Sequence, residues 1–242
     1  METIKFFVAS CDAEKLNKCI LKNQHLSKYD IEIQFDRNRK RGLPERYNDF
    51  IDRNLDSDSW LVFIHDDVEL LEDIGPRLEG LPRNVIYGAC GAKKINGKGE
   101  IIGRIQTEDP RVNGGRRFSF GREVAHFEIV PTFDPFFICM HSTLFKKRAD
   151  IIPGLTFTLA YVRFDENLGY HLFSEELNIN AKKNYGIESA VLQISCCHYS
   201  FGTKAEEYYQ ALEYIYKKHG ISKFIGTCEK QAMDNDPEWG WK

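Results

Sequence analysis

Residues 60–64, Trp-Leu-Val-Phe-Ile, form an unbroken apolar run that passes directly into His65-Asp66-Asp67. An uncharged run of this length fits a strand buried on both faces, as in a parallel sheet covered by helices. Ligands of open parallel sheets bind beyond the carboxyl ends of the strands, so the three polar side chains stand where a site is expected. The neighbouring segments agree. Residues 4–9 are a short run of β-formers, 12–23 fit a helix with Asp12 as N-cap, and 30–35 alternate with period two. Over 43–55, Tyr47, Phe50, Ile51 and Leu55 fall at helical spacing, with Pro44 where a first-turn proline is tolerated. A helix over 68–78 and a strand over 84–90 continue the alternation. Alternating strands and helices predict an α/β fold with a doubly wound sheet.

The pattern breaks between 93 and 122, where Gly97, Gly99, Gly103, Gly114, Gly115 and Gly121 are interspersed with charges. This stretch is expected to be an inserted loop or hairpin over the sheet edge, with Asn113-Gly114 as its turn. Strands over 127–133 and 136–140, a helix over 169–184, a strand over 189–195 and a helix over 204–219 follow. A polar tail carries Trp239 and Trp241, suited to stacking on a sugar or to packing at a dimer contact. No repeat or low-complexity linker divides the chain, so residues 1–242 are expected to form one domain, with 203–242 as its C-terminal helix and tail.

Composition narrows the function classes. The 33 Lys+Arg against 36 Asp+Glu leave a net charge of -3, without the basic excess of a nucleic-acid binder. No window approaches the roughly 20 nearly uncharged residues of a transmembrane helix. The first residues pass quickly into charged sequence without a signal-peptide core, and a cytoplasmic protein is expected. The seven cysteines are scattered without CxxC spacing, which argues against a disulfide framework or zinc finger. Homo-oligomerisation is left open.

Three segments carry candidate chemistry. Asp66 and Asp67 after the buried run either hold a hard divalent cation together with a diphosphate, or cap the next helix. Glu175 and Glu176, with His171 about one turn earlier, offer a general base or a solvated helix start. His198 in Cys196-Cys197-His198-Tyr199-Ser200 is a metal or phosphate ligand or a structural histidine. The basic run 37–41 reads as a solvated loop with Arg39 or Arg41 available to phosphate. The aromatic residues between 206 and 216 fall at helical spacing and are expected in the core.

In order, the chain presents Tyr47-Asn48, Phe63-Ile64-His65-Asp66-Asp67-Val68, Asp134-Pro135-Phe136, Phe164-Asp165-Glu166, Gly169-Tyr170-His171, Glu176-Leu177 and His198-Tyr199-Ser200. This series resembles the GT-A-fold glycosyltransferases, closest to the family-2-like group that includes the streptomycin-biosynthesis glycosyltransferase-like proteins. The likeness spans roughly residues 4 to 202 and lies in the shared order and spacing of short motifs. It implies a nucleotide-diphospho-sugar transferase (GT-A) fold, with a single mostly parallel sheet flanked by helices. It further implies metal-dependent, inverting transfer of a sugar from a nucleotide-diphosphate donor to an unknown hydroxyl acceptor.

Position by position, the resemblance puts Asp67, His198 and His65 around Mn²⁺ or Mg²⁺, with imidazole favouring Mn²⁺. Ala9, Ser10, Cys11, Asp36, Asn48 and Asp66 fall on the donor nucleotide side, and Asp134 and His171 on the acceptor side. Glu176 or Glu175 falls to the catalytic base. Two departures stand out. Ser174 replaces an acid common in the group, and Pro135 follows Asp134 where glycine is usual. Ser174 motivates the alternative of a catalytically impaired module that binds a nucleotide sugar or a glycan. A sugar-phosphate nucleotidyltransferase is the other alternative, although residues 9–14 lack the Gly-rich basic loop such enzymes carry.

Overall fold

The computed structural model describes residues 2–111, 113–145, 162–200 and 206–227. In chain order the first elements are β1 (Thr3–Ser10), α1 (Ala13–Leu16), β2 (Asp30–Phe35), α2 (Leu43–Arg53), β3 (Ser59–His65), β4 (Val68–Leu70), α3 (Gly75–Leu78) and β5 (Val85–Gly88). Then come β6 (Gly91–Ile95), β7 (Lys98–Ile102), β8 (Ile105–Thr107), β9 (Phe118–Phe120), β10 (Phe127–Val130), β11 (Thr132–Phe133) and β12 (Phe137–His141). Last are α4 (Phe173–Tyr185), β13 (Glu188–Leu192), β14 (Cys196–His198) and α5 (Glu206–His219). Trp239 and Trp241 lie outside the described residues, as do 201–205 and with them the expected start of the last helix.

The expectation of a single, mostly parallel sheet of the GT-A kind is corrected. The chain builds three sheets, and the seven-stranded one, ordered β10-β13-β5-β12-β3-β1-β2, is mixed. β3 runs parallel to β1 but antiparallel to β12, and β10 runs antiparallel to β13. The other two sheets are β11-β6-β7 and β4-β14-β8-β9, paired mainly antiparallel. An apolar run records that both faces are buried and says nothing about the direction of the neighbouring strand.

Burial of both faces is borne out residue by residue. Phe7, Leu61, Phe63, Ile138 and Met140 point into one core beneath α2, α4 and α5. Phe6, Val8, Trp60, Val62, Ile64 and Cys139 alternate with them into a second core. Such period-two partition is what a pleated strand imposes, and each fully buried Phe or Leu contributes about 1.5–3 kcal/mol.

Local signals explain most boundaries. Asp12 accepts from the N–H groups of Glu14 and Lys15, starting α1, which continues as a π-helical turn over Asn17–Leu21. Pro44 occupies the first turn of α2. The region from 93 to 122 is a pair of hairpins. The tight turn is Asn96-Gly97, both left-handed at φ 51° and 82°, between the paired Ile95 and Lys98. The other Asn-Gly, at 113–114, lies in a 3-10 turn of the longer connection from β8 to β9.

The expected helix over 68–78 does not form. Val68–Leu70 is a strand paired antiparallel with β14, and helix begins only at Gly75. With no helix starting at Val68, Asp66 and Asp67 cap nothing. The helix expected from 169 begins at Phe173, after Leu172 in a left-handed conformation.

Candidate metal centre

The site is assembled where the central sheet hands over to the four-stranded one. β3 ends at His65, whose N–H donates to the Phe136 carbonyl at 3.0 Å. After Asp66 and Asp67 the chain enters β4, and pairing with β14 sets His198 opposite Val68. Tyr199 N–H continues the ladder to the carbonyl of Asp67 at 2.9 Å. The Phe136 ring stacks on His198 with centroids 4.7 Å apart, and Thr107 Oγ1 donates to the His198 carbonyl at 2.9 Å. His198 is thereby held on three sides.

His198 Nε2 comes to 3.4 Å from Asp67 Oδ1, and the rings of His65 and His198 lie 6.3 Å apart. One ligand atom from each of His65, Asp67 and His198 fits within 4.8 Å of the others. Nε2 of His65 is buried without a hydrogen-bond partner among the described residues. An orphaned buried polar atom costs about 1–3 kcal/mol, a cost that a ligand on this nitrogen would remove. Two imidazoles and a carboxylate fit a divalent cation with positions left open for an exogenous ligand.

The electrostatics agree with that donor set. Burial depresses the pKa of His65 and keeps its imidazole neutral, against the pull of Asp67. Burial alone would raise Asp67. The hydrogen bond and charge of His198, with His65 and Lys15 behind it, instead hold the carboxyl far below its usual range. Lys15 Nζ stands 3.2 Å from Asp67 Oδ2; burial works against its charge, but the carboxylate raises its pKa.

Around this centre the structure gathers most of the expected donor-side residues. Ala9 lies beside His65 across the β1–β3 ladder. Ser10 Oγ donates to Asp66 Oδ2 at 2.7 Å. Asp36 N–H donates to the Ser10 carbonyl at 2.7 Å, while the Asp36 carboxylate accepts from the N–H groups of Asn38 and Lys40 and shapes the basic loop. Arg39, at φ 48°, reaches back so that Nε and Nη2 both lie 3.2 Å from Cys11 Sγ, and it faces the Tyr170 ring. Arg41 is spent on Glu45 and Asp49, whereas Arg39 reaches Cys11 at the end of β1.

Other candidates fall elsewhere. Asn48 is committed to the 164–166 segment. Its amide donates to the Phe164 carbonyl and Glu166 Oε1 and accepts from the Phe164 N–H, which sets it apart from the donor side. His171 is half-buried against Tyr208 of α5. The two glutamates part company. Glu176 Oε1 accepts from Lys218 at 2.5 Å and faces His219 Nε2 at 3.1 Å, a buried clamp between α4 and α5. Glu175 is bonded by Ser174 instead. Burial first, then the Asp134 charge, raise its pKa to about 8, against a hydrogen bond from Ser174. Asp134 accepts from Thr227 Oγ1 at 3.0 Å and acts electrostatically on both His65 and Glu175. Neither glutamate is a solvated helix start, since Glu175 is 3% and Glu176 0% exposed.

Lys15 was missed by sequence reasoning, though a lysine in the first turn after β1 was the available signal. A separate groove of about 620 Å³, lined by Ile129, Pro131, Ile221, Phe224 and Lys94 among others, contains none of the triad.

No family model matches the chain, and no curated protein matches it. Among solved structures it is similar to the crystal structure of A197 from STIV, with a TM-score of 0.43 and 13% identity. That similarity covers 82% of this chain and 86% of the other.

Proposed function

We propose that the protein is a metal-dependent glycosyltransferase that moves a sugar from a nucleotide-diphosphate donor to a hydroxyl acceptor with inversion. The observation that carries this is the His65–Asp67–His198 triad with its orphaned Nε2, set beside Ser10, Asp36 and Arg39 at the strand ends. His65, Asp67 and His198 would hold Mn²⁺ in preference to Mg²⁺, given two nitrogen donors. The cation would supply charge neutralisation for the departing diphosphate. Arg39 is positioned to contact a donor phosphate through its fork.

Glu175 is the better base, since Glu176 is consumed by Lys218 and His219. A carboxyl with pKa about 8 is poised to take a proton near neutral pH. Glu175 removes the acceptor hydroxyl proton as the oxygen attacks the anomeric carbon, and the bond from that carbon to the diphosphate oxygen breaks on the opposite face. Asp134, whose charge acts on Glu175, would line the acceptor side.

A second reading, a nucleotide-sugar or glycan-binding module without turnover, is favoured by one observation. Ser174 hydrogen-bonds Glu175 Oε2 at 2.7 Å in full burial, which ties up the carboxyl expected to work. The described cysteines are free, which fits a cytoplasmic setting. Among the described residues no helix is long and apolar enough to cross a membrane.

A thermal-shift screen of nucleoside diphosphates with and without Mn²⁺ tests both readings. Selective binding raises the melting temperature, and Asp67→Ala should abolish the Mn²⁺-dependent part. Binding without transfer or hydrolysis of any donor sugar would leave the module reading. The absence of any Mn²⁺-dependent shift would remove both.

A further inference from the structure

The two oxygens of Asp67 face different partners. Oδ1 looks toward His198 within the triad, and Oδ2 toward the ammonium of Lys15 at 3.2 Å. This lysine is placed by a closed ring of hydrogen bonds. Ser10 Oγ donates to Asp66 Oδ2 and accepts from Asp12 N–H, and Asp12 Oδ1 accepts from Lys15 N–H. Lys15 Nζ then returns to Asp67 Oδ2. The capping turn of α1 and the acidic end of β3 therefore form one frame, and Lys15 is its only cationic member. Three residues on, Lys18 covers the Tyr199 ring at 3.6 Å, so this helix face lies along the site. The Lys15 side chain is 42% exposed, and its four-carbon stem lets the ammonium move without moving the helix.

We infer that Lys15 is an exchangeable counter-ion that couples cation binding at the triad to the binding of a diphosphate-bearing ligand. The inference rests on the triad being a metal centre. With no cation bound, Lys15 neutralises Asp67 and competes for the carboxylate. A divalent charge on the triad repels the ammonium, which then turns its donors to a phosphate oxygen of the ligand held at the cation. Lys15 thus opposes the cation on its own and favours the cation and the anion together. Linkage makes that coupling equal in both directions. No bond is made or broken, and only the partner of the ammonium changes.

The test uses the full chain and two probes, Mn²⁺ alone and Mn²⁺ with inorganic pyrophosphate. Free Mn²⁺ is counted by electron paramagnetic resonance after correction for the soluble complex. Lys15→Met should bind Mn²⁺ alone about three- to tenfold more tightly than wild type, the range expected for removing one partly exposed charge. Pyrophosphate should enhance Mn²⁺ binding in wild type, and that enhancement should shrink by a similar factor in Lys15→Met. Lys15→Arg should restore both behaviours, and Lys15→Gln repeats the neutral case in a polar side chain. The opposite signs separate exchange from a structural role, which would weaken both measurements. Unchanged or weaker Mn²⁺ binding in both neutral variants overturns the inference while leaving the metal centre standing. Absence of pyrophosphate enhancement in wild type also overturns it. If wild type and His198→Ala bind Mn²⁺ equally poorly, the metal centre itself fails, and the exchange fails with it.

Discussion

Adjacent side chains on one helix turn receive opposite assignments from their surroundings. Glu176 is clamped by Lys218 and His219, whereas Glu175 accepts a hydrogen bond from Ser174 and feels the like charge of Asp134. Glu175→Gln should therefore remove turnover by about two to four orders of magnitude while sparing donor binding, the usual scale for losing a general base. Wild-type rate, in a transfer assay run from pH 6 to 9, should climb about tenfold per unit and level off above pH 8. Folding carries the same signature with the opposite sign. A carboxyl whose folded pKa is about 8, against an ordinary 4.5, binds more protons folded than unfolded between those values. Stability therefore falls as pH rises through that window, and Glu175→Gln should flatten the decline in urea melts at each pH.

At the scale of elements, the pairing of β4 with β14 decides whether a site exists. Had residues 68–78 continued as a helix, His198 would have no ladder to bring it to Asp67. Glu69→Pro removes a donor from the middle of β4, and should weaken Mn²⁺ binding about tenfold or more by calorimetry, while Glu69→Thr should not. The triad residues were legible in the sequence because each follows or ends an apolar strand. Asp12, Pro44 and the alternation over 30–35 announced their elements because the signals are local. What remained hidden was non-local. Val68-Glu69-Leu70 is too short to display a period, and its strand character comes from a partner some 130 residues away. Strand direction was equally unreadable, which is how β12 and β10 turned the expected parallel sheet into a mixed one. The lesson for Asn48 and Glu176 is similar: their motif neighbours placed them at a site, and their long-range partners placed them in clamps.

For the whole molecule, the central sheet is sealed by two cores, and α5 closes one of them through a polar latch. Asp165 accepts from Tyr214 and Lys218, each at 2.7 Å, and Lys218 also reaches Glu176. Despite the opposing effect of partial burial, these contacts lower the pKa of Asp165 to about 2. Lys218→Ala should lower the free energy of unfolding by about 1–3 kcal/mol in urea titrations, because Glu176 keeps only His219. It should leave Mn²⁺ binding intact, since the latch and the triad share no residue.

β14 has a second neighbour. Gln106 and Thr107 of β8 pair with Cys197 and His198, and β8 opens into the long excursion that returns through β9. The excursion is thus spliced to the backbone of a triad histidine. A change that slips this two-rung register would shift the His198 backbone, so insertions should be tolerated at the apex of the excursion and not at its root.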